Sequence, residues 1–247
     1  MKIAVYAISK NEETFVNSWV ESMSEADAVY VLDTGSTDRT VELLREQGVT
    51  VHETPICPWR FDTARNQALA LLPEDVDICV STDLDEQFRP GWRKALEQAW
   101  KPGTQQAWFR YTWDFPPDGA EGTIFWREKI HAREGFRWIH PVHEVLEYTG
   151  TGKPAVVCAE GVQLDHHADH KKSRVAESPE DDRNTHYLGR EYFFHRRWDD
   201  CIRTLRRHLS LPSAQWAGER AASLRYIGQA HQALGHHREA LQSLLRA

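Results

Sequence analysis

Nowhere in this chain of 247 residues does an unbroken apolar run reach the length needed to cross a bilayer. The first run, Ile3 to Ile8, meets Lys10, Asn11, Glu12 and Glu13, far short of a secretory or membrane segment. Cysteine is sparse. Cys57, Cys79, Cys158 and Cys201 have no close pairing and no C-x-x-C spacing, which argues against a disulfide framework or a cysteine-bound zinc. Reduced thiols and the missing membrane segment together predict a soluble cytoplasmic protein. A basic excess is missing too: Lys plus Arg is 30 against 37 for Asp plus Glu, a formal charge of -7, so bulk charge does not hold bare nucleic acid. An anionic ligand then needs local basic side chains, a helix terminus or a metal. Ser9-Lys10-Asn11-Glu12-Glu13 contains no glycine, which argues against the Gly-rich phosphate loop of a nucleotidyltransferase.

What the chain does have is 40% hydrophobic residues, enough for one well-buried core and a small second unit. Ile3 to Ile8 has the continuous apolar pattern of a strand covered on both faces, and Asn11 to Ser24 carries Phe15, Trp19, Val20 and Met23 at helical spacing. Ala28 to Leu32 repeats the strand pattern and delivers Asp33 into the turn Thr34-Gly35-Ser36-Thr37-Asp38, before Val41, Leu43 and Leu44 begin a helix. Val49 to Val51 predicts a short strand, Thr63 to Leu72 a helix, and Ile78 to Ser81 a fourth strand that stops at an acidic cluster. This alternation predicts an α/β fold, a mostly parallel sheet with helices on both faces, whose ligands bind outside the carboxyl ends of the strands. From Ala107 to His166 the strands are short and rich in Trp, Phe and Arg, so the second half of the sheet is expected to be mixed.

Beyond the acidic loop Glu177 to Asp182 only helical periodicity remains. Leu188-Gly189, Tyr192, Trp198, Cys201 and Leu205 recur 39 residues later as Ile227-Gly228, His231, His237, Ala240 and Leu244. Small residues at Gly189, Cys201, Gly228 and Ala240 suit close approach of paired helices, so residues 176–247 are expected to form a small all-α tail after an α/β domain spanning 1–175. A helical array normally needs at least ~3 repeats or a cap. The last face is therefore expected to pack on the α/β domain, on residues outside this chain, or on a second copy in a homodimer formed through these helices.

Three segments carry chemistry. Asp83-Leu84-Asp85 follows an apolar strand, and in an extended segment Asp83 and Asp85 project together while Leu84 turns into the core. Two such carboxylates suit a hard cation, Mg²⁺ or Mn²⁺, that takes further ligands from substrate phosphates; a solvated acidic loop is the plainer reading. Asp33 is placed to accept hydrogen bonds from a base or ribose, with Ser36 or Asp38 capping the next helix. Arg65, one turn into its helix, can bring a planar fork of donors to a diphosphate or base, or make a surface salt bridge.

Taken in order, Asn11-Glu12-Glu13, Leu32 to Asp38, Ala64-Arg65-Asn66 and Asp83-Leu84-Asp85 resemble the family 2 glycosyltransferases with the GT-A fold, over roughly residues 1–170. The tail resembles tetratricopeptide helices attached to some members. The resemblance implies a metal-dependent, inverting transfer of a sugar from a nucleotide diphosphate, UDP favoured, to an acceptor hydroxyl on a saccharide, protein, lipid-linked molecule or modified nucleobase. It places the nucleotide sugar on Ile8, Ser9, Asn11, Glu12, Asp33, Arg65, Asp83 and Leu84, with Trp138 a further contact, and the metal on Asp83, Asp85 and His166, with His167 as a rival. Relatives often carry a His-Glu pair like His143-Glu144, so Glu144, in a cleft with Trp138 and Trp126, is the expected base and His143 its partner, with Asp114 and Glu128 as other candidates. A nucleotide-binding helical-repeat adaptor without turnover, or a sugar-phosphate nucleotidyltransferase, are the competing readings.

Overall fold

The computed structural model describes residues 1–115, 119–141, 144–167 and 182–247. They belong to two compact units, Met1–Ala168 and Asp169–Ala247. In the first, β1 (Ile3–Ser9), β2 (Ala28–Asp33), β3 (Thr50–Glu53) and β4 (Ile78–Thr82) alternate with α1 (Val16–Ser22), α2 (Thr40–Glu46) and α3 (Phe61–Ala70). There follow β5 (Glu86–Phe88), α4 (Trp92–Ala99), β6 (Gln106–Thr112), β7 (Ile124–Ala132), β8 (Phe136–Ile139), β9 (Val145–Tyr148) and β10 (Val156–His166). One eight-stranded sheet runs β3-β2-β1-β4-β7-β6-β10-β5, and β8 and β9 form a separate antiparallel pair. β3, β2, β1 and β4 are mutually parallel, as are β6 and β10, while β7 and β5 run antiparallel to their neighbours. The mixed second half thus follows the expectation. Strand order reverses direction at β1, between β2 and β4, which is where open α/β sheets leave a crevice for ligands.

The strand alternation of β1 explains why both faces are covered. Ile3, Val5 and Ala7 enter the larger core with Val16 and Trp19 of α1, Leu44 of α2 and Trp92 and Leu96 of α4. Ala4 and Tyr6 point the other way, into a second core with Ala68 and Leu69 of α3 and Trp138 of β8. The first helix is shorter than its apolar spacing predicts. Asn11 takes a left-handed φ of 54°, and the backbone N–H groups of Asn11, Glu12 and Glu13 donate to Ser36, Thr40 and Asp38 rather than beginning a helix.

A directed polar chain runs through the second core. Trp138 Nε1–H donates to Tyr6 Oη at 2.8 Å, the Tyr6 hydroxyl reaches His131 Nε2 at 2.9 Å, and His131 Nδ1 reaches the Ala132 carbonyl at 2.7 Å. The carbonyl only accepts, so Nδ1 carries the proton, Nε2 accepts from Tyr6, and each group in the chain is satisfied. Burial holds the His131 imidazole neutral, with its pKa pushed down to about 4.

The second unit consists, among its described residues, of α5 (Asp182–Phe194), α6 (Trp198–Ser210), α7 (Ala217–Ala233) and α8 (His237–Leu244). Its core gathers Cys201, Ile202, Leu205, Ile227 and Ala230, with Tyr192, Phe193 and Trp198 packed against them. Gly189 leaves room for Leu205, and Gly228 leaves room for Leu244; a Cβ at either glycine would collide with that leucine. No described helix is long and apolar enough to cross a membrane.

Tyr6→Phe removes one hydroxyl and strands two buried groups, Trp138 Nε1–H and His131 Nε2. The expected cost is about 2–6 kcal/mol, from roughly 1–3 kcal/mol for each unsatisfied group, read by urea denaturation. The His131 linkage sets a pH dependence as well. Because the folded pKa lies below the ordinary 6.5, the unfolded chain binds the extra proton. The contribution is complete above about 6.5 and is lost as pH falls toward about 4, roughly 3 kcal/mol in all, which faster hydrogen exchange of β1 and β7 amides should report.

Candidate active site

Three loops meet at the carboxyl ends of β1, β2 and β4. The first two are knitted together by Asp33 and Asn11. Asp33 is only 1% exposed. Its Oδ1 accepts from the backbone N–H of Gly35 at 3.0 Å and of Ser36 at 2.8 Å, while Oδ2 accepts from Ser9 Oγ at 2.7 Å and Ser36 Oγ at 2.5 Å. Four donors fill the roughly four acceptor positions of a carboxylate. Asp33 therefore folds the turn, and its oxygens are engaged by the protein's own donors. Gly35 supplies the turn's left-handed φ of 111°. Asn11 Oδ1 accepts from Thr37 N–H at 2.7 Å, and Ser9 carbonyl accepts from Thr34 N–H at 2.9 Å, so Ile8 to Glu12 and Asp33 to Asp38 form one wall. Asp38, not Ser36, accepts from the first helical N–H of α2, that of Thr40, at 3.0 Å.

At the end of β4 the chain does not stay extended. Glu86 N–H donates back to the Asp83 carbonyl at 3.0 Å, and Glu86 Oε2 accepts from Asp83 N–H at 2.9 Å, closing a turn over Asp83 to Glu86. The strand alternation expected to point Asp83 and Asp85 the same way is lost there, and the two carboxylates have different partners. Leu84 is buried in the main core, so its side chain is not available to a nucleotide.

Asp83 faces cations. Arg65 Nη2 donates to its two oxygens at 2.8 and 3.1 Å, and Lys129 Nζ reaches Oδ2 at 3.2 Å. The same Arg65 gives Nε–H to Glu144 Oε1 at 2.7 Å. Lys129 also donates to Glu86 Oε1 at 3.1 Å, which accepts from Tyr111 Oη at 2.9 Å. Two cations, Arg65 and Lys129, thus stand against three carboxylates, Asp83, Glu86 and Glu144. Burial works against the charged form of Asp83, but the guanidinium and ammonium beside it outweigh that and hold its carboxyl well below the usual range. Burial likewise opposes the charge on Arg65, and Asp83 and Glu144 outweigh it, raising its pKa.

Asp85 faces His166. Nε2 lies 3.3 Å from Asp85 Oδ2, and Nδ1 lies 2.9 Å from the Trp113 carbonyl, which fixes the proton on Nδ1. In a neutral imidazole the Nε2 lone pair then confronts a carboxylate, two acceptors in need of a proton or a cation between them. Burial disfavours the imidazolium, but the hydrogen bond and charge of Asp85 raise the pKa of His166. A divalent cation fits this donor set, an imidazole whose second nitrogen is anchored to a carbonyl beside a carboxylate. His167 turns away and stacks on Phe115, with ring centroids 5.5 Å apart.

The helix α3 and the β8–β9 pair hold Arg65 and Glu144 together. Asn66 Nδ2 donates to the Trp138 carbonyl at 2.8 Å and Trp138 N–H donates to Asn66 Oδ1 at 2.9 Å, so one amide side chain pairs with the strand as another strand would. Phe61 N–H, at the start of α3, donates to the Pro141 carbonyl at 2.9 Å. Trp138 itself is 3% exposed, and its face lies under the Arg65 guanidinium, 5.1 Å from ring centroid to Cζ. It supports Arg65 and does not offer a flat face to a sugar. Trp126 is exposed, Asp114 accepts from Thr123 N–H at 2.6 Å, and Glu128 lies on β7. His143 lies outside the described residues.

Lys129, Glu86 and Tyr111 were not singled out from the sequence. The signal was there in part: Lys129 stands next to Ile130 and two residues before His131, both buried, and a charged residue in such a strand points at a buried partner, while a register shift between Arg127 and Ile130 takes Arg127 out of that alternation. Arg65→Gln should leave Asp83 and Glu144 facing each other with one neutralising cation fewer, at a cost of about 3–5 kcal/mol. The double variant Arg65→Gln/Glu144→Gln should recover part of that loss, which a urea-denaturation cycle measures.

The chain matches the family model described as glycosyl transferase family 2 over residues 5–148. Similar solved structures include glucosyl-3-phosphoglycerate synthase from Mycobacterium tuberculosis in complex with Mn²⁺, uridine diphosphate and glucosyl-3-phosphoglycerate, 26% identical with a TM-score of 0.38 over 46% of this chain and 44% of that one. The same synthase with Mg²⁺ and uridine diphosphate is 27% identical, with a TM-score of 0.38 over 44% and 43%. A mycobacterial protein is 19% identical, with a TM-score of 0.46 over 68% of each chain. The present chain therefore spans less than half the length of the synthase structures it matches. Among curated proteins none matches. With the family model covering more than half of the chain, and the parallel half-sheet and its loops lying within the matched residues, this protein belongs to glycosyl transferase family 2.

Proposed function

We propose that this protein transfers a sugar from a nucleoside diphosphate, uridine being the favoured base, to an acceptor hydroxyl with inversion at the anomeric carbon. The observation that carries the reading is the set of Asp83, Asp85, Glu144 and His166 beside Arg65 and Lys129, at the end of the sheet where α/β folds bind ligands. The wall formed by Ile8 to Glu12 and the Asp33 turn borders the nucleoside, and Asp33 acts by shaping that wall. Asp85 and His166 hold Mn²⁺ or Mg²⁺, with Asp83 the third candidate ligand. When bound, the cation neutralises charge on the departing diphosphate.

Glu144 is the base in this reading. Arg65 fixes its carboxylate through Oε1, and Arg65 is in turn fixed by Asp83 and by the Trp138 face beneath it. Glu144 takes the proton from the acceptor hydroxyl, the acceptor oxygen bonds to the anomeric carbon, and the bond from that carbon to the diphosphate oxygen breaks with its electron pair leaving on the nucleotide. The Ala64-Arg65-Asn66 run thus has two tasks: Arg65 orients the base and Asn66 fastens the strand that precedes it.

The four described helices of the second unit read as two tetratricopeptide-type pairs. The support is the repeated contact in which Gly189 admits Leu205 and, 39 positions on, Gly228 admits Leu244.

The deciding assay is release of free nucleotide from UDP-, GDP- and dTDP-sugars, with Mn²⁺, Mg²⁺ or chelator, for the parent and for Asp85→Ala. Metal-dependent release from one donor, falling at least about 100-fold in the variant, is expected from losing a ligand of the ion that stabilises the leaving group. Tight nucleotide binding with no release from any donor, even with a panel of hydroxyl acceptors, would instead favour the adaptor.

A further inference from the structure

The second unit contains a polar cluster that the transferase reading leaves unused. One ring nitrogen of His208 and one carboxylate oxygen each from Asp182 and Glu219 lie within 4.8 Å of one another. No other group of three such side chains comes together among the described residues. Each residue sits at a helix end. Asp182 is in the first turn of α5, His208 in the last turn of α6 and Glu219 in the first turn of α7. The carboxylates of Asp182 and Glu219 suit the N-terminal dipoles of their helices, which accounts for those two singly. It does not account for their convergence at one buried point.

The second observation is His208 itself. The residue is 0% exposed, and its Nε2 has no hydrogen-bond partner among the described residues. Its Nδ1 lies 2.9 Å from Ser223 Oγ, which lies 2.7 Å from His186 Nδ1. The single Ser223 hydroxyl proton cannot serve two bare nitrogens, so at least one imidazole donates. With the proton on His208 Nδ1, the chain runs from His208 to Ser223 to His186, each link made. That leaves Nε2 buried with an unshared pair, on a ring that belongs to the cluster with Asp182 and Glu219. The nearby Arg220 gives Nη1 to the Leu209 and Ala214 carbonyls at 3.2 and 2.9 Å.

An imidazole nitrogen and two carboxylate oxygens supply three of the four ligands that a tetrahedral zinc ion takes. In that tautomer the Nδ1–H bond to Ser223 is the kind of outer contact that fixes a metal-bound histidine. We propose that His208 Nε2, Asp182 and Glu219 form a second metal site, taking Zn²⁺, that ties the starts of α5 and α7 to the end of α6. The ion joins three helix ends on either side of the connection between Ser210 and Ala217, so its binding free energy adds to the stability of the helices.

The test uses the full chain, stripped with chelator and dialysed against Zn²⁺, with bound metal measured by elemental analysis and affinity by competition with a chromogenic chelator. Asp85→Ala serves as the parent background so that the candidate active site is not counted. That protein should retain one Zn²⁺, and Zn²⁺ should raise its thermal midpoint. Ser223→Ala should weaken binding by about 10–100-fold, as loss of an outer-shell partner does. Asp182→Asn and His208→Gln should each weaken it by at least that much. The half-buried Asp182 position keeps the test decisive if His208→Gln fails to fold. Absence of bound zinc in the Asp85→Ala protein, or unchanged affinity in Asp182→Asn, would overturn the proposal.

Discussion

The geometry of the candidate active site depends on one guanidinium. Arg65 reaches Asp83 at the end of β4 through Nη2 and Glu144 at the start of β9 through Nε, so a single planar side chain on α3 sets the separation of two carboxylates far apart in sequence. A lysine has one point of charge and cannot span both in fixed orientation, whereas the rigid fork of arginine can. The position of the fork is itself determined from below, by the Trp138 ring, and from the side, by Asn66 pairing with the Trp138 backbone. Trp138 is held by Tyr6, and Tyr6 by His131, so the neutral buried chain in the core and the charged network at the site share a residue. Loss of packing beneath Trp138 is transmitted to Glu144 through Arg65.

Much of this was legible in the sequence, and the reasons for the misses are physical. Continuous apolar runs at Ile3 to Ile8 and Ile78 to Ser81 identify the doubly covered strands because only a parallel strand between helix layers buries both faces. The Asp33 turn, Arg65 and the Asp83 cluster were placed at the strand ends for the same reason. Two expectations turn on hydrogen-bond accounting. A carboxylate next to a glycine turn can serve a ligand or its own backbone, and Asp33 is filled by Ser9, Gly35 and Ser36. Asp83 and Asp85 share a face only if the strand continues, and Glu86 closes it into a turn by capping the Asp83 N–H. Neither outcome follows from spacing, because each depends on which donor reaches an oxygen first in three dimensions.

Lys129 and Trp138 show the complementary limit. A lysine in a strand next to Glu128 reads as solvent-facing until the partner strand is known; β6 and β4 on either side of β7 place it over Glu86 and Asp83. A tryptophan near a candidate base reads as a sugar platform, yet the period of β8 sends Trp138 inward, against α3. In both cases the local pattern was correct and the neighbour decided the meaning.

The charged network is poorly explained as a source of stability. Desolvation of buried ions offsets most of their attraction, and well-packed apolar residues of similar volume often do as well or better. Arg65 and Lys129 nevertheless share one point with Asp83, Glu86 and Glu144, and a further carboxylate and imidazole stand beside them at Asp85 and His166. With two cations and three carboxylates the inner set keeps a surplus of negative charge, while the fixed positions of its members mean that little reorganisation is needed when charge arrives or departs. Such an arrangement costs folding free energy and gains nothing from it unless charge moves at that place, which is the requirement of a reaction whose leaving group is a diphosphate.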